Sequence, residues 1–377
     1  MAEVRRSKTT RPIQGTLSVP GDKSISHRAI MFGSLAKGTT KITNFLHGED
    51  CLRTVDAFRA LGVTINDEGN NRVTIQSGGF ESFKEPKVPL YFGNSGTTAR
   101  LMIGLLSGLP FLTVIHGDPY LTERPMDRVV VPLRKMGSQI DGRQSGRFLP
   151  LAIRGGNLQG IDYELPVKSA QVKSALLLAG LFAEGRTTVT EQTKTRNHTE
   201  NMLKAFGAHI EVQGNQVSIT NKGALTATDV YVPGDISSAA FFMVAAAVVP
   251  NSQLNMKNIG FNKTRTGIIE VLKEMGAHLE LSNEQVIGGE HMADITVFYA
   301  PLKGIQIEGD IIPRLIDEIP IIALLATQAE GQTVIKNAEE LRVKETDRIA
   351  AVVDVLSTLG ANIKETKDNR WANFFIS

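Results

Sequence analysis

The chain has 377 residues, 42% hydrophobic and 21% charged, which is enough for two domains with sizeable cores. Its 41 Lys and Arg against 39 Asp and Glu leave a formal net charge of +2, without the basic excess of a nucleic-acid or membrane-surface protein. A lone cysteine, Cys51, excludes an internal disulfide framework and a cysteine-rich metal site. The longest apolar run, residues 239–249, falls short of the ~20 residues that a membrane span needs, and residues 1–15 show no apolar secretory core. The expected class is a soluble cytoplasmic globular protein.

In chain order, residues 26–35 are small and apolar over a helical length and lead into the β-type run Gly38-Thr39-Thr40-Lys41-Ile42. A helix end follows at Phe58-Arg59-Ala60-Leu61-Gly62, then the run Val63-Thr64-Ile65. The succession recurs. Further apolar segments lie at 97–106, 170–181, 237–249 and 319–329, and further helix ends stop at Gly137, Gly207, Gly276 and Gly360. Segments apolar nearly all round read as buried helices. Each terminal glycine reads as a C′ cap before a strand. One unit is therefore strand, buried helix, strand, surface helix, strand and a closing strand. Five units are legible, and the residues after Ile363 are too few for the buried helix of a sixth.

Val19-Pro20-Gly21-Asp22-Lys23-Ser24 is echoed by Val232-Pro233-Gly234-Asp235-Ile236-Ser237, each before a buried helix whose start carries serine caps. These read as equivalent places where the chain changes domain. Units one to three form one domain over residues 21–234. Residues 1–20 plus 235–377 form the second.

Three buried helices open on small polar and cationic residues: Lys23, Ser24 and Arg28; Asn94, Ser95, Gly96 and Arg100; Lys168, Ser169, Ala170, Gln171 and Lys173. Bare N–H groups and the helix dipole attract anions there. For each start alone, capping by Ser or Thr explains the residues equally well. Three together, with cations beside apolar helices, favour phosphate and carboxylate ligands, because a desolvated cation needs an anionic partner. Arg124 could fork such a ligand or pair with its neighbour Glu123. The run Arg342-Val343-Lys344-Glu345-Thr346-Asp347-Arg348 taken alone is an ordinary charged face. Asp317-Glu318 offers either a helix cap or a catalytic base. His27 and His198 read as structural or solvated. No phosphate-loop lysine, dinucleotide fingerprint or zinc pair is present.

Four segments, Pro20 to Arg28, Gly93 to Arg100, Glu123-Arg124-Pro125-Met126 and Arg342 to Arg348, together closely resemble the 5-enolpyruvylshikimate-3-phosphate synthase family. The resemblance runs from about Leu17 to Ile363. It implies an α/β protein of two inside-out α/β barrel domains, built from βαβαββ units, three expected per domain and the sixth missing here. It implies transfer of the enolpyruvyl group of phosphoenolpyruvate to the 5-hydroxyl of shikimate 3-phosphate, in the shikimate route to chorismate and the aromatic amino acids, with no metal or organic cofactor. By resemblance, Lys23, Ser24 and Arg28 hold shikimate 3-phosphate, and Lys23 also touches phosphoenolpyruvate. Ser169, Ala170, Gln171 and Arg196 surround the shikimate phosphate. Gly96, Arg124 and Arg348 bind phosphoenolpyruvate, and Asn94 is a further candidate. Asp317 takes the 5-hydroxyl proton, assisted by Lys344, and Glu345 moves a proton at the methylene carbon. Glyphosate is the implied inhibitor, the chain is expected to be a monomer, and neither nucleic acid nor membrane is a partner. The Ser169-Ala170-Gln171 and Arg196-Asn197-His198 variants look like a subgroup that includes many glyphosate-tolerant enzymes.

The family's sixth unit carries a Gly-Asp-His-Arg segment and a later lysine, and neither is in this sequence. The expectation is an open hydrophobic surface in the second domain and impaired turnover. Two alternatives stand beside this reading. One is a UDP-N-acetylglucosamine enolpyruvyl transferase, which normally carries a cysteine in the loop before its Arg-Pro motif; residues 117–122 hold none. The other is a non-catalytic remnant that binds shikimate 3-phosphate.

Overall fold

The computed structural model describes residues 11–343, 346–365 and 374–376. Their main helices are α1 (Lys23–Leu35), α2 (Glu49–Ala60), α3 (Gly96–Leu106), α4 (Asp127–Lys135), α5 (Ala170–Gly180), α6 (His198–Ala205), α7 (Ile236–Val248), α8 (Gly267–Glu274), α9 (Ile319–Ala326) and α10 (Arg348–Thr358).

Local chemistry sets the ends of these helices. In both Pro-Gly-Asp motifs the cap is the aspartate rather than a serine: Asp22 accepts from the Ile25 N–H and Asp235 from the Ser237 N–H. Ser95 and Ser169 do cap α3 and α5. At the other end, α2, α4, α6, α8 and α10 all stop in one way. Gly62, Gly137, Gly207, Gly276 and Gly360 take φ of 92°, 103°, 86°, 100° and 95°. Around Gly62, the Val63 N–H bonds the Phe58 carbonyl and the Gly62 N–H bonds the Arg59 carbonyl. The same pair of bonds recurs at the other four glycines. This is a Schellman closure, which needs a left-handed residue and so selects glycine.

Among the described residues the strands form five four-stranded sheets of like arrangement. In one, Leu90–Tyr91 runs parallel to Leu112–His116, which pairs antiparallel with Phe148–Arg154, which pairs antiparallel with Gln139–Gly142. Two sheets take their entering strand from far along the chain. Val230–Tyr231 pairs with Ile42 and Thr43, and Gln14–Leu17 pairs with residues 253–256. Phe374–Ile376, in a tail to which sequence assigns no element, pairs antiparallel with Thr333–Ile335 and Ile363–Glu365. It satisfies backbone groups that both strands would otherwise leave unpaired.

The chain divides into two compact units. The first comprises Pro20–Pro233 with Val286–His291. The second comprises residues 11–19, Gly234–Gln285 and the described residues from 292 on. Residues 286–291 thus group apart from the rest of 235–377. These residues are the tip of the hairpin His278–Ile287 and Glu290–Phe298. They group with the first unit, where Glu290 meets His198 Nδ1 at 3.0 Å with both side chains buried. Hairpin tips leave no trace in hydropathy, so the sequence could not show this.

Each unit has its own hydrophobic core. In the first, every residue of α1 from Ile25 on and every residue of α5 from Val172 on is buried. Helix α7 departs from the all-round burial that its composition predicts: Phe241 and Phe242 are 60% and 43% exposed. Val355 and Leu359 of the α10 segment are also exposed.

Candidate active site

The first unit gathers most of the predicted site residues at the starts of α1, α3 and α5. Lys23 opens α1, with Nζ 3.3 Å from Asp50 Oδ2 at the start of α2. Arg28, one turn on, is buried. Its Nε donates to Thr199 Oγ1 at 2.7 Å, Nη1 to the Ser24 carbonyl at 2.9 Å and Nη2 to Ser174 Oγ at 2.9 Å. Three of its five N–H donors are thereby used. Burial lowers its pKa to about 10, and Glu200 and Asp22 partly offset that, while the neighbouring Arg196 adds to it. Arg28 remains a cation at neutral pH.

At the start of α3, Arg124 Nη2 donates to Asn94 Oδ1 at 2.5 Å. Glu123 meets Arg143 Nη2 at 3.0 Å. Arg100 Nη1 donates to Gln171 Oε1 at 2.7 Å, and Gln171 Nε2 donates to Thr97 Oγ1 at 3.2 Å, which ties α3 to α5. Gly96 sits under these guanidiniums. A Cβ there would lie 3.1 Å from Arg124 Nη1 and 3.4 Å from Arg100 Nη1, so glycine leaves both room to face a ligand. Ser169, Ala170 and Gln171 are half-buried at the α5 start.

Arg196 lies in a loop anchored at both ends by a buried lysine. Lys173 Nζ is 2.9 Å from Glu191 Oε2, before the loop, and 2.6 Å from Glu200 Oε1, after it. Glu191 Oε1 also accepts the Thr195 N–H at 3.2 Å and its hydroxyl. The sequence places Lys173 among the cations at the α5 start but does not name its partners. The signal was there: a lysine inside the apolar run Val172 to Gly180 needs a buried counter-charge.

In the second unit, Arg348 Nη1 donates to Asp317 Oδ1 at 3.2 Å, each about 30% exposed. Glu318 stands at the N-cap of α9 without a side-chain capping bond. Glu318 is buried, accepts from Ser237 Oγ and lies 3.5 Å from Arg265 Nη2, a cluster that sequence did not show. Lys344 and Glu345 lie outside the described residues.

His27 is wholly buried in the first unit. Burial, and then the charges of Lys23 and Arg28, lower its pKa to about 3 against a weaker opposing effect of Asp22. The unfolded chain protonates this ring near pH 6.5 and the folded chain does not. Between those values the unfolded state binds more protons, so stability rises with pH and falls on acidification, by up to about 1.4 kcal/mol per pH unit. Histidine-labelled NMR is expected to show the His27 ring neutral from pH 8 to pH 4.5. A midpoint near 6.5 would contradict its burial.

The geometry defines a class: a two-unit α/β protein whose helix starts carry cations and bare amides. The comparisons with known proteins are more particular. The model of the EPSP synthase (3-phosphoshikimate 1-carboxyvinyltransferase) family matches residues 7–373. The 3-phosphoshikimate 1-carboxyvinyltransferase of Oceanobacillus iheyensis is 60% identical over 94% of this chain and 83% of its own length. That of Bacillus subtilis is 56% identical over 97% and 85%. The structure of EPSP synthase from Acinetobacter baumannii superposes with a TM-score of 0.89 at 49% identity, covering 97% of this chain and 82% of that one. The chain belongs to the EPSP synthase family, and it is a transferase.

Proposed function

We propose that this chain transfers the enolpyruvyl group of phosphoenolpyruvate to the 5-hydroxyl of shikimate 3-phosphate and releases inorganic phosphate, a step towards chorismate and the aromatic amino acids. The observation that carries this reading is the linked set Asn94–Arg124 and Arg100–Gln171 around Gly96, with Arg28 bonded to α5 through Ser174. Such a set suits two densely anionic ligands held side by side.

In the first unit, Lys23, Ser24 and Arg28 hold shikimate 3-phosphate, with Ser169, Ala170, Gln171 and Arg196 at its phosphate. Gly96 and Arg124 hold phosphoenolpyruvate, Lys23 touches it and Asn94 orients Arg124. In the second unit Arg348 is assigned to phosphoenolpyruvate and steadies Asp317. The 5-oxygen forms a bond to C2 of phosphoenolpyruvate as Asp317, assisted by Lys344, takes its proton. Glu345 delivers a proton to the methylene carbon. Loss of a proton from that carbon then expels phosphate and restores the double bond. No cofactor is assigned. Glyphosate is the proposed inhibitor and a monomer the proposed state. The proposed architecture is a pair of inside-out α/β barrels built from βαβαββ units.

One observation bears on the alternatives. Cys51 is buried, and its thiol is pushed up to about 12 by burial, so it offers no nucleophile of the kind that a UDP-N-acetylglucosamine enolpyruvyl transferase carries in a loop. A second reading is a chain that binds shikimate 3-phosphate without turning it over. Calorimetry with shikimate 3-phosphate, then with phosphoenolpyruvate, run beside a phosphate-release assay, decides. Binding with release supports the transferase, binding without release supports the second reading, and uptake of UDP-N-acetylglucosamine instead overturns both. Asp317→Asn is expected to lower turnover by about a hundredfold or more while shikimate 3-phosphate affinity stays within a few-fold. A large affinity loss would make Asp317 chiefly a binding group.

A further inference from the structure

A chain of buried neutral groups joins the N-terminal halves of α1, α2 and α3. His27 Nδ1 is 2.7 Å from Thr54 Oγ1, Thr54 Oγ1 is 2.8 Å from Thr98 Oγ1, and Thr98 Oγ1 is 2.7 Å from Ser95 Oγ and 3.3 Å from the Asp50 carbonyl. All four side chains are at 0% exposure. His27 Nε2 is buried and has no hydrogen-bond partner among the described residues. An orphaned buried N–H is rarer than an orphaned lone pair, so the proton sits on Nδ1. The order then follows: His27 donates to Thr54, Thr54 to Thr98, and Thr98 to the Asp50 carbonyl, where the chain ends on a fixed acceptor. Ser95, the cap of α3, donates its own hydroxyl to Thr98.

The two ends of this chain lie under different parts of the candidate site. His27 is one residue from Arg28 and one turn from Lys23. Ser95 and Thr98 flank Gly96 and Thr97. Asp50, whose carbonyl ends the chain, also holds Lys23 through its carboxylate. A polar link inside an apolar core permits few lengths, because each hydroxyl has one proton to place and no water to substitute.

We infer that Thr54, with His27 and Thr98, is a positioning residue that sets the separation between the α1 start and the α3 start, and thereby the fit of the second anionic substrate once the first is bound. The inference rests on the reading above, in which α1 takes shikimate 3-phosphate and α3 takes phosphoenolpyruvate. It concerns residues that touch neither ligand.

The test compares Thr54→Val, which keeps the shape and removes the oxygen, with Thr54→Ser, which keeps the oxygen. Affinity for shikimate 3-phosphate alone is expected to stay within threefold in both. Affinity for phosphoenolpyruvate in the presence of saturating shikimate 3-phosphate should fall at least tenfold in Thr54→Val and recover in Thr54→Ser. Wild-type affinities in Thr54→Val would overturn the inference, as would equal losses for both ligands or failure of serine to rescue. If wild type binds neither ligand, the functional reading fails, and amide NMR still judges the linkage. Shifts at Gly96 to Ala99 that move in Thr54→Val and return in Thr54→Ser uphold it. Unmoved shifts overturn it.

Discussion

Lys173→Met is expected to destabilise the first unit by about 3–5 kcal/mol, read as a lower denaturant midpoint at unchanged slope. The ammonium is 1% exposed and bridges two carboxylates, Glu191 and Glu200, each 4% exposed. Methionine keeps most of the stem's packing and deletes the charge, which leaves two carboxylates buried without their counter-ion. That residual burial, more than the lost attraction, makes the change costly. A second effect should follow. Lys173 holds both ends of the 191–200 segment, so the variant should also bind shikimate 3-phosphate more weakly through Arg196. A loss below about 1 kcal/mol would mean that water or rearrangement compensates the pair, and that the bridge does not anchor the loop.

Lys23→Ala is expected to cut turnover by at least about a hundredfold and to leave the fold intact. The two halves of this expectation have different grounds. Lys23 is half exposed and its partner is Asp50 at 3.3 Å; a surface pair of this kind contributes roughly 0–1 kcal/mol. The cap of α1 is Asp22, and its packing starts at Ile25, so neither is disturbed. The activity half depends on the proposed role, in which the ammonium meets both anionic ligands. Phosphate-release rates beside thermal unfolding measure the two separately. Turnover within threefold of wild type would refute the role, and a collapse of the melting transition would show that Lys23 is structural.

Much of the framework was legible because it is local chemistry. The five terminal glycines announce themselves after Leu61, Met136, Phe206, Met275 and Leu359, since the Schellman closure uses residues close in sequence. The candidate site was legible in part for the same reason: Ser-Gly-Thr and Lys-Ser at helix starts declare bare amides and nearby cations. What stayed hidden was every partnership over distance. Arg124 with Asn94, Arg100 with Gln171, and Lys173 with Glu191 and Glu200 are separated by 30, 71, 18 and 27 positions, and no periodicity links them. Ser237 and Asp235 show the same limit in miniature. Both residue types cap helices well, and choosing between them needed the backbone angles of the turn.

By itself, the order of residues determined where helices stop, which of them are apolar, and which of their starts carry cations, because capping, periodicity and charge act within a few residues. Tertiary structure decided that Val230–Tyr231 would complete the sheet of residues 37–43, that the tip at 286–291 would join the first unit, that Phe241 would face outward from an apolar helix, and which carboxylates would neutralise the buried Lys173. Those outcomes depend on which groups meet when water is expelled, and desolvation acts on neighbours in space.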